Sequence, residues 1–179
     1  MNFDLGIATT RKPELKDVEQ IYQYRNDPDV YVSLGGDSQG MSRENVEEWI
    51  HLHNHNKNDY VWVIVERCSD KCIGHLGIYQ IDFRNRKAEI GMAISKEYWG
   101  QGIAQKAFRE ILNYAFFQLN LNRMETFNLA TNSKIIHIKE KMGFKVEGVL
   151  RKVMYRNGDY QDKVIMSILK DEYEASLNK

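Results

Sequence analysis

The chain has 179 residues, 42% of them hydrophobic, which is enough for one core, and its 25 Lys and Arg balance 25 Asp and Glu. That balance lacks the positive field of a dedicated nucleic-acid binder, and no run approaches the roughly 20 apolar residues needed to span a bilayer. A single domain, 1–179, is expected, cytoplasmic, with no nucleic-acid or membrane partner. Cys68 and Cys72 are too few for a disulfide framework or a four-cysteine zinc site, and are expected to be incidental thiols flanking a turn.

In chain order, a short strand is expected at residues 5–8, then a helix after Pro13 with Leu15, Val18, Ile21 and Tyr22 at helical spacing. Pro28 in "RNDPDV" closes that helix, because proline disfavours helix in the residue before it. "SLGGDSQGMS" reads as a glycine-rich loop, and Ser42 as the cap of "RENVEEWIHLHNH", with Asn45 where a capping box prefers Glu or Gln. From Tyr60 the period becomes that of strands. "YVWVIVER", "CIGHLGIYQIDF" and "AEIGMAIS", joined by the turns "CSDK" and "RNRK", predict an antiparallel meander. A helix over 101–119, a strand in "RMETFNLAT", a helix in "NSKIIHIKEKM" and a hairpin of "VEGVLRKVMYR" and "YQDKVIMSIL" complete the chain. The last strand is expected at an exposed edge, where it would support a homodimer.

The helix after "YWGQG" has a clear apolar stripe, from Ile103 and Ala107 through Ile111 and Leu112 to Phe116, yet its start is bare. No Ser, Thr, Asp or Asn closely precedes it, and no acidic residue follows until Glu110. The amides of Gln101, Gly102, Ile103 and Ala104 are therefore left for an outside anion, and Gly100 and Gly102 remove side chains that would block its approach. The alternative is a tight strand-to-helix turn and nothing more. A third glycine for a dinucleotide fingerprint is missing, as is the lysine of a P-loop.

"YWGQGIAQKA", followed about 30 residues on by "ATNSKIIHIKEKMGF", resembles the two signature segments of the GNAT superfamily of N-acetyltransferases. With "RNDPDV", "AEIG" and "YRNGDYQD", the resemblance is greatest to the branch of ribosomal-protein N-terminal, spermidine and amino-sugar acetyltransferases. It implies an α/β (α+β) fold with a mixed, largely antiparallel central sheet flanked by helices and splayed between the fourth and fifth strands. It also implies an acetyl-CoA-dependent acyltransferase without a metal. The pantetheine arm would enter the splay and pair with Met92, Ala93 and Ile94, and the pyrophosphate would rest on the loop of Trp99, Gly100, Gln101, Gly102, Ile103 and Ala104. Trp99 stands where the pattern usually has Gln or Arg, and Lys139 where many members carry the tyrosine proposed to protonate the thiolate.

Acetyl transfer from a thioester to an amine needs a neutral amine, a stabilised oxyanion and a proton for the thiolate. Glu89, on the same strand face as Gly91 and Ala93, is either the base, acting through water, or a structural carboxylate bonded to a neighbouring strand. A backbone amide of Met92, Ala93 or Ile94 is the expected oxyanion donor. Asn132 reads as a ligand of the pantetheine or a water, as a helix cap, or as both. Lys139 either neutralises a coenzyme phosphate or is simply solvated, and Tyr155 reaches the thiol if its strand borders the cleft. Direct transfer in a ternary complex is expected over an acetyl-cysteine.

His51 and His55, four apart, are expected on an exposed helix face, not at a metal, and Tyr60, Trp62 and Tyr79 in the sheet and core, not on a base-stacking platform. The acceptor is expected to be a primary amine, on a protein N-terminus or a small molecule, with amino sugars and polyamines as alternatives. Asp27, Asp29, Asp37 and Asp162 are candidates to attract it. An acyl-CoA-binding module without catalysis remains the alternative of another class.

Overall fold

Among the described residues seven strands make one sheet: β1 (Ala8–Arg11), β2 (Tyr60–Glu66), β3 (Cys72–Asp82), β4 (Lys87–Ile94), β5 (Arg123–Leu129), β6 (Lys145–Arg156) and β7 (Asp159–Leu169). Their order is β1-β2-β3-β4-β5-β7-β6, and β2 and most of β3 are buried on both faces, as central strands covered by helices are. The structure is a computed structural model that describes residues 2–34, 40–156 and 158–177. β2, β3 and β4 form the predicted antiparallel meander. β4 and β5 are the one parallel pair, and their ladder stops after Glu89↔Glu125. Beyond it the two strands diverge, which is the expected splay.

Six helices flank the sheet: α1 (Val18–Asn26), α2 (Pro28–Leu34), α3 (Arg43–His55), α4 (Ile103–Asn113), α5 (Ser133–Lys141) and α6 (Lys170–Leu177). The strand alternation divides the core by face. Trp62, Ile64, Leu76, Ile78, Ile90 and Ile94 pack with the apolar stripe of α4, whereas Val63, Val65, Cys72 and Ala93 pack with Ile21, Val46 and Ile50 of α1 and α3. Burying each such aliphatic side chain contributes about 1.5–3 kcal/mol. Ser42 caps α3 as expected, its hydroxyl accepting from the Asn45 N–H at 3.0 Å while Asn45 Oδ1 accepts from the Ser42 N–H at 3.1 Å. Asn thus does the work of Glu in this capping box.

Several expectations are corrected. The first strand begins at Ala8 because residues 4–7 turn, with Gly6 at φ +85° and its N–H on Asp4 Oδ1. α1 does end at Asn26, with Asp27 extended before Pro28 as expected, but Pro28 also has a role at the start of the next helix. It opens α2, at the first helical position where its missing N–H has no cost. The helix after Gly102 is α-helical only to Asn113 and widens into a π-type turn, Tyr114–Gln118. The hairpin does not complete the chain: α6 follows it, anchored by Tyr173, whose ring packs on Phe116. β7 is not an edge strand: it lies between β5 and β6, and β6 forms the edge, so the proposed dimer edge in "YQDKVIMSIL" does not exist.

Candidate active site

The turn before α4 is built as a bare donor site. Gly100 and Gly102 sit at φ +79° and +76°, left-handed backbone that side-chain-bearing residues rarely adopt. Gly102 is the N-cap residue, no side chain caps the helix, and its first turn carries no acid. A Cβ at either glycine would meet nothing within 4 Å, so the space in front of the amides is open. The first amides of a helix have no partner within it, and here they meet the positive end of the helix dipole. Gln101 turns its side chain away, Nε2 donating to Glu97 O at 3.1 Å. The indole N–H of Trp99 donates to Ile94 O at 2.8 Å, which ties the turn to the end of β4. These donors suit a diphosphate.

Met92, Ala93 and Ile94 pair with β3 along one edge of β4, through Leu76, His75 and Gly74. Their other edge has no strand partner among the described residues, because the ladder with β5 has already ended. Across the gap, Asn132 caps α5 by accepting from the Ile135 N–H at 3.3 Å. Lys139 is buried, so it is not the solvated lysine of the alternative expectation. Its Nζ donates to Thr126 Oγ1 and to Asn128 Oδ1, both at 2.6 Å, on the stretch of β5 that has left β4. Burial holds its pKa down at about 8, against the pull of Glu89.

Glu89 lies at the last paired step of β4 and β5, with Tyr79 as its partner on β3. Among the described residues its carboxylate has neither hydrogen bond nor ion pair, so the strand-bonded alternative lacks a partner. Burial raises its pKa and the neighbouring Glu125 adds to the rise, while Lys163 and Lys139 oppose it. A cavity of about 370 Å³ opens at its cross-strand partner Tyr79 and at Gly91, two residues further along the same face of β4; Arg25, Tyr31, Trp49 and His75 also line it, whereas Glu89 itself does not. Gly77 and Gly91 are cross-strand partners. A Cβ on Gly77 would come within 2.5 Å of the Tyr79 ring and one on Gly91 within 3.0 Å, so the glycine pair is the bed on which that ring lies. Tyr79 is therefore a wall of the cavity as well as sheet packing. His75 pairs its Nδ1 with the Tyr24 hydroxyl at 2.9 Å, and burial, reinforced by Arg25, holds its pKa well below the ordinary histidine value.

Other candidates fall outside this arrangement. Tyr155 is exposed on β6 against Tyr160, and β7 and β5 stand between β6 and the splay, so the condition for its reaching the thiol is not met. Asp27 caps α2, accepting from the Asp29 and Val30 amides, and Asp29 pairs with Lys96. Asp162 accepts from Lys152 N in the β6 bulge, and Asp37 lies outside the described residues. These three aspartates are structural. His51 and His55 are exposed, and no cluster of three metal-ligating side chains occurs among the described residues. Burial pushes the Cys72 thiol up to about 12, which keeps it protonated. The sequence analysis missed Arg25, Tyr31, Trp49 and His75. A histidine inside the apolar strand "CIGHLGIY" is the signal that a polar partner waits there.

A central sheet that splays beside an uncapped glycine turn defines a class of acyl-coenzyme A-dependent acyltransferases. Residues 9–145 match the acetyltransferase (GNAT) domain family, and the chain belongs to it. It is 32% identical over 168 residues to the uncharacterized N-acetyltransferase p20 of Bacillus licheniformis, covering 92% of this chain and 94% of that one. It is 42% identical over 102 residues to the putative ribosomal N-acetyltransferase YdaF of Bacillus subtilis, covering 57% and 56%. The crystal structure of the spermidine N-acetyltransferase from Vibrio cholerae in complex with CoA and spermine superimposes with a TM-score of 0.85 at 28% identity, over 94% and 98% of the two chains. No helix among the described residues is long and apolar enough to cross a membrane.

Proposed function

We propose that this chain moves the acetyl group of acetyl-CoA to a primary amine by direct transfer in a ternary complex. The observation that carries the proposal is the uncapped start of α4 beside the splay, an anion site next to a strand edge that an extended pantetheine can pair. In this reading the amides of Gln101, Gly102, Ile103 and Ala104 hold the diphosphate, and the free edge at Met92, Ala93 and Ile94 holds the pantetheine and supplies the oxyanion donor. Acetyl-CoA supplies the activated acyl group. Glu89 takes the proton of the acceptor ammonium, directly or through water, and its raised pKa brings its basicity closer to that task. Lys139 sits at the same gap as a desolvated cation, positioned to stabilise developing thiolate charge. Asn132 orders the start of α5 there. A protonated, buried Cys72 makes a poor nucleophile, which favours direct transfer.

The acceptor is the amine of a small molecule or of a protein N-terminus, and a polyamine is the acceptor class that the Vibrio cholerae relative's name carries. Thiol release from acetyl-CoA, measured with peptides, amino acids, amino sugars and spermidine in turn, tests the reaction. An acceptor-dependent release that falls on Glu89→Gln is expected. Coenzyme binding without release for any amine would leave only a binding module.

A further inference from the structure

The cavity at Tyr79 and Gly91 carries a charge pattern that bears on its occupant. Among the described residues no carboxylate lines it, and the one ionised lining side chain is Arg25. Arg25 is half-buried at the end of α1, with no carboxylate partner among the described residues. Burial lowers the pKa of His75, a lining residue, and the charge of Arg25 adds to that lowering. A second guanidinium stands close by. Arg156, 7% exposed, lies 4.4 Å over the ring of Tyr31, itself a lining residue. Arg156 Nη1 donates to Val32 O at 3.2 Å, while its Nη2 and the Tyr31 hydroxyl are buried without a hydrogen-bond partner among the described residues.

An aromatic-walled cavity is ordinarily a good receptor for an alkylammonium, through the negative faces of its rings. Here two of those rings already meet cations from the protein. Arg25 lies 5.7 Å from the Trp49 ring, and Arg156 occupies the Tyr31 ring. A second ammonium brought to this end of the cavity meets like charge and, among the described residues, no carboxylate. A carboxylate meets a guanidinium free to bond it, beside buried donors that lack partners.

Resting on the acetyl-transfer reading above, we infer that the acceptor is a primary amine with an apolar body that also bears a carboxylate, held by Arg25, and not a polyamine. The amine end lies at Gly91, two residues along β4 from Glu89, the apolar body against Tyr79, Trp49 and Met41, and the anion at Arg25.

The test uses acceptors that differ only at the far end. 6-Aminohexanoate, hexylamine and 1,6-diaminohexane form one set, 4-(aminomethyl)benzoate and 4-methylbenzylamine a second, and spermidine stands as the polycation. Thiol release from acetyl-CoA is measured for each, and calorimetry measures their binding to the coenzyme A-saturated protein. In at least one set the carboxylate member is expected to have a kcat/KM about tenfold or more above its neutral partner, as a charge-assisted pair allows. Arg25→Gln is expected to collapse that ratio to within about threefold, chiefly through KM, and Arg25→Lys to restore part of it. Fastest turnover of diaminohexane or spermidine, or a ratio that ignores Arg25→Gln, would overturn the inference and leave acetyl transfer standing. Tight binding of the carboxylate amines without any thiol release would do the reverse.

Discussion

Glu89 and Lys139 sense each other's charge across the splay, and burial moves each toward its neutral form. For Glu89 the consequence is kinetic. A base must be ionised, so kcat/KM should rise with pH through its elevated pKa, and Glu89→Gln should lower kcat about 100-fold or more while removing that limb of the profile. For Lys139 the consequence is also thermodynamic. Its folded pKa of about 8 lies below the ordinary 10.5, so between those values the unfolded chain binds more proton than the folded one. Stability contributed by this group is therefore present above the unfolded value and lost as pH falls toward 8. The slope is on the order of 1 kcal/mol per pH unit in that window. Chemical denaturation at several pH values should show it in the wild type, and Lys139→Met should flatten it. The two protein hydrogen bonds of Lys139 could not be read from "IHIKEKMGF", because Thr126 and Asn128 belong to a different element.

At the scale of elements, α4 joins a strongly apolar stripe to a start that no side chain caps among the described residues. The stripe gives the helix its place and the bare start gives it a ligand. Gly102→Val would force a β-branched residue into left-handed backbone at φ +76° and put methyl groups into the open space before the amides. The KM for acetyl-CoA should rise about tenfold or more, with a smaller change in kcat. Both glycines, the missing cap and the stripe were legible in "YWGQGIAQKAF", because a glycine turn and a helical period are local properties. α6 was not legible. It is held from outside, by the Tyr173 hydroxyl, which donates to Asn113 Oδ1 at 2.9 Å and Arg109 O at 3.2 Å on α4. Tyr173→Phe should cost about 1 kcal/mol of stability, measured by urea denaturation.

Over the whole molecule, the splay leaves one strand edge open in the middle of the sheet instead of at its rim. A ligand that fills that gap joins the two halves of the sheet and binds only the folded state. Coenzyme A at about 100 times its Kd should therefore add about 2.7 kcal/mol of stability. The accompanying rise in melting temperature should shrink in Gly102→Val and be indifferent to a metal chelator.

The sequence by itself determined the strand meander, the amphipathic helices, the glycine turn and, through two motif segments, the family. Each is assembled from short local stretches, single strands, turns, helices and motif segments, the range over which hydrophobic period and turn chemistry act. Only the tertiary structure decided which residues line the acceptor cavity and which strand forms the edge. Arg25 and Trp49 come from two helices, and His75, Tyr79 and Gly91 from two strands. Likewise β7 became an interior strand through its ladder with β5, more than 30 residues away. Side-chain charge and burial at such a place depend on how distant segments pack, and no local pattern records that.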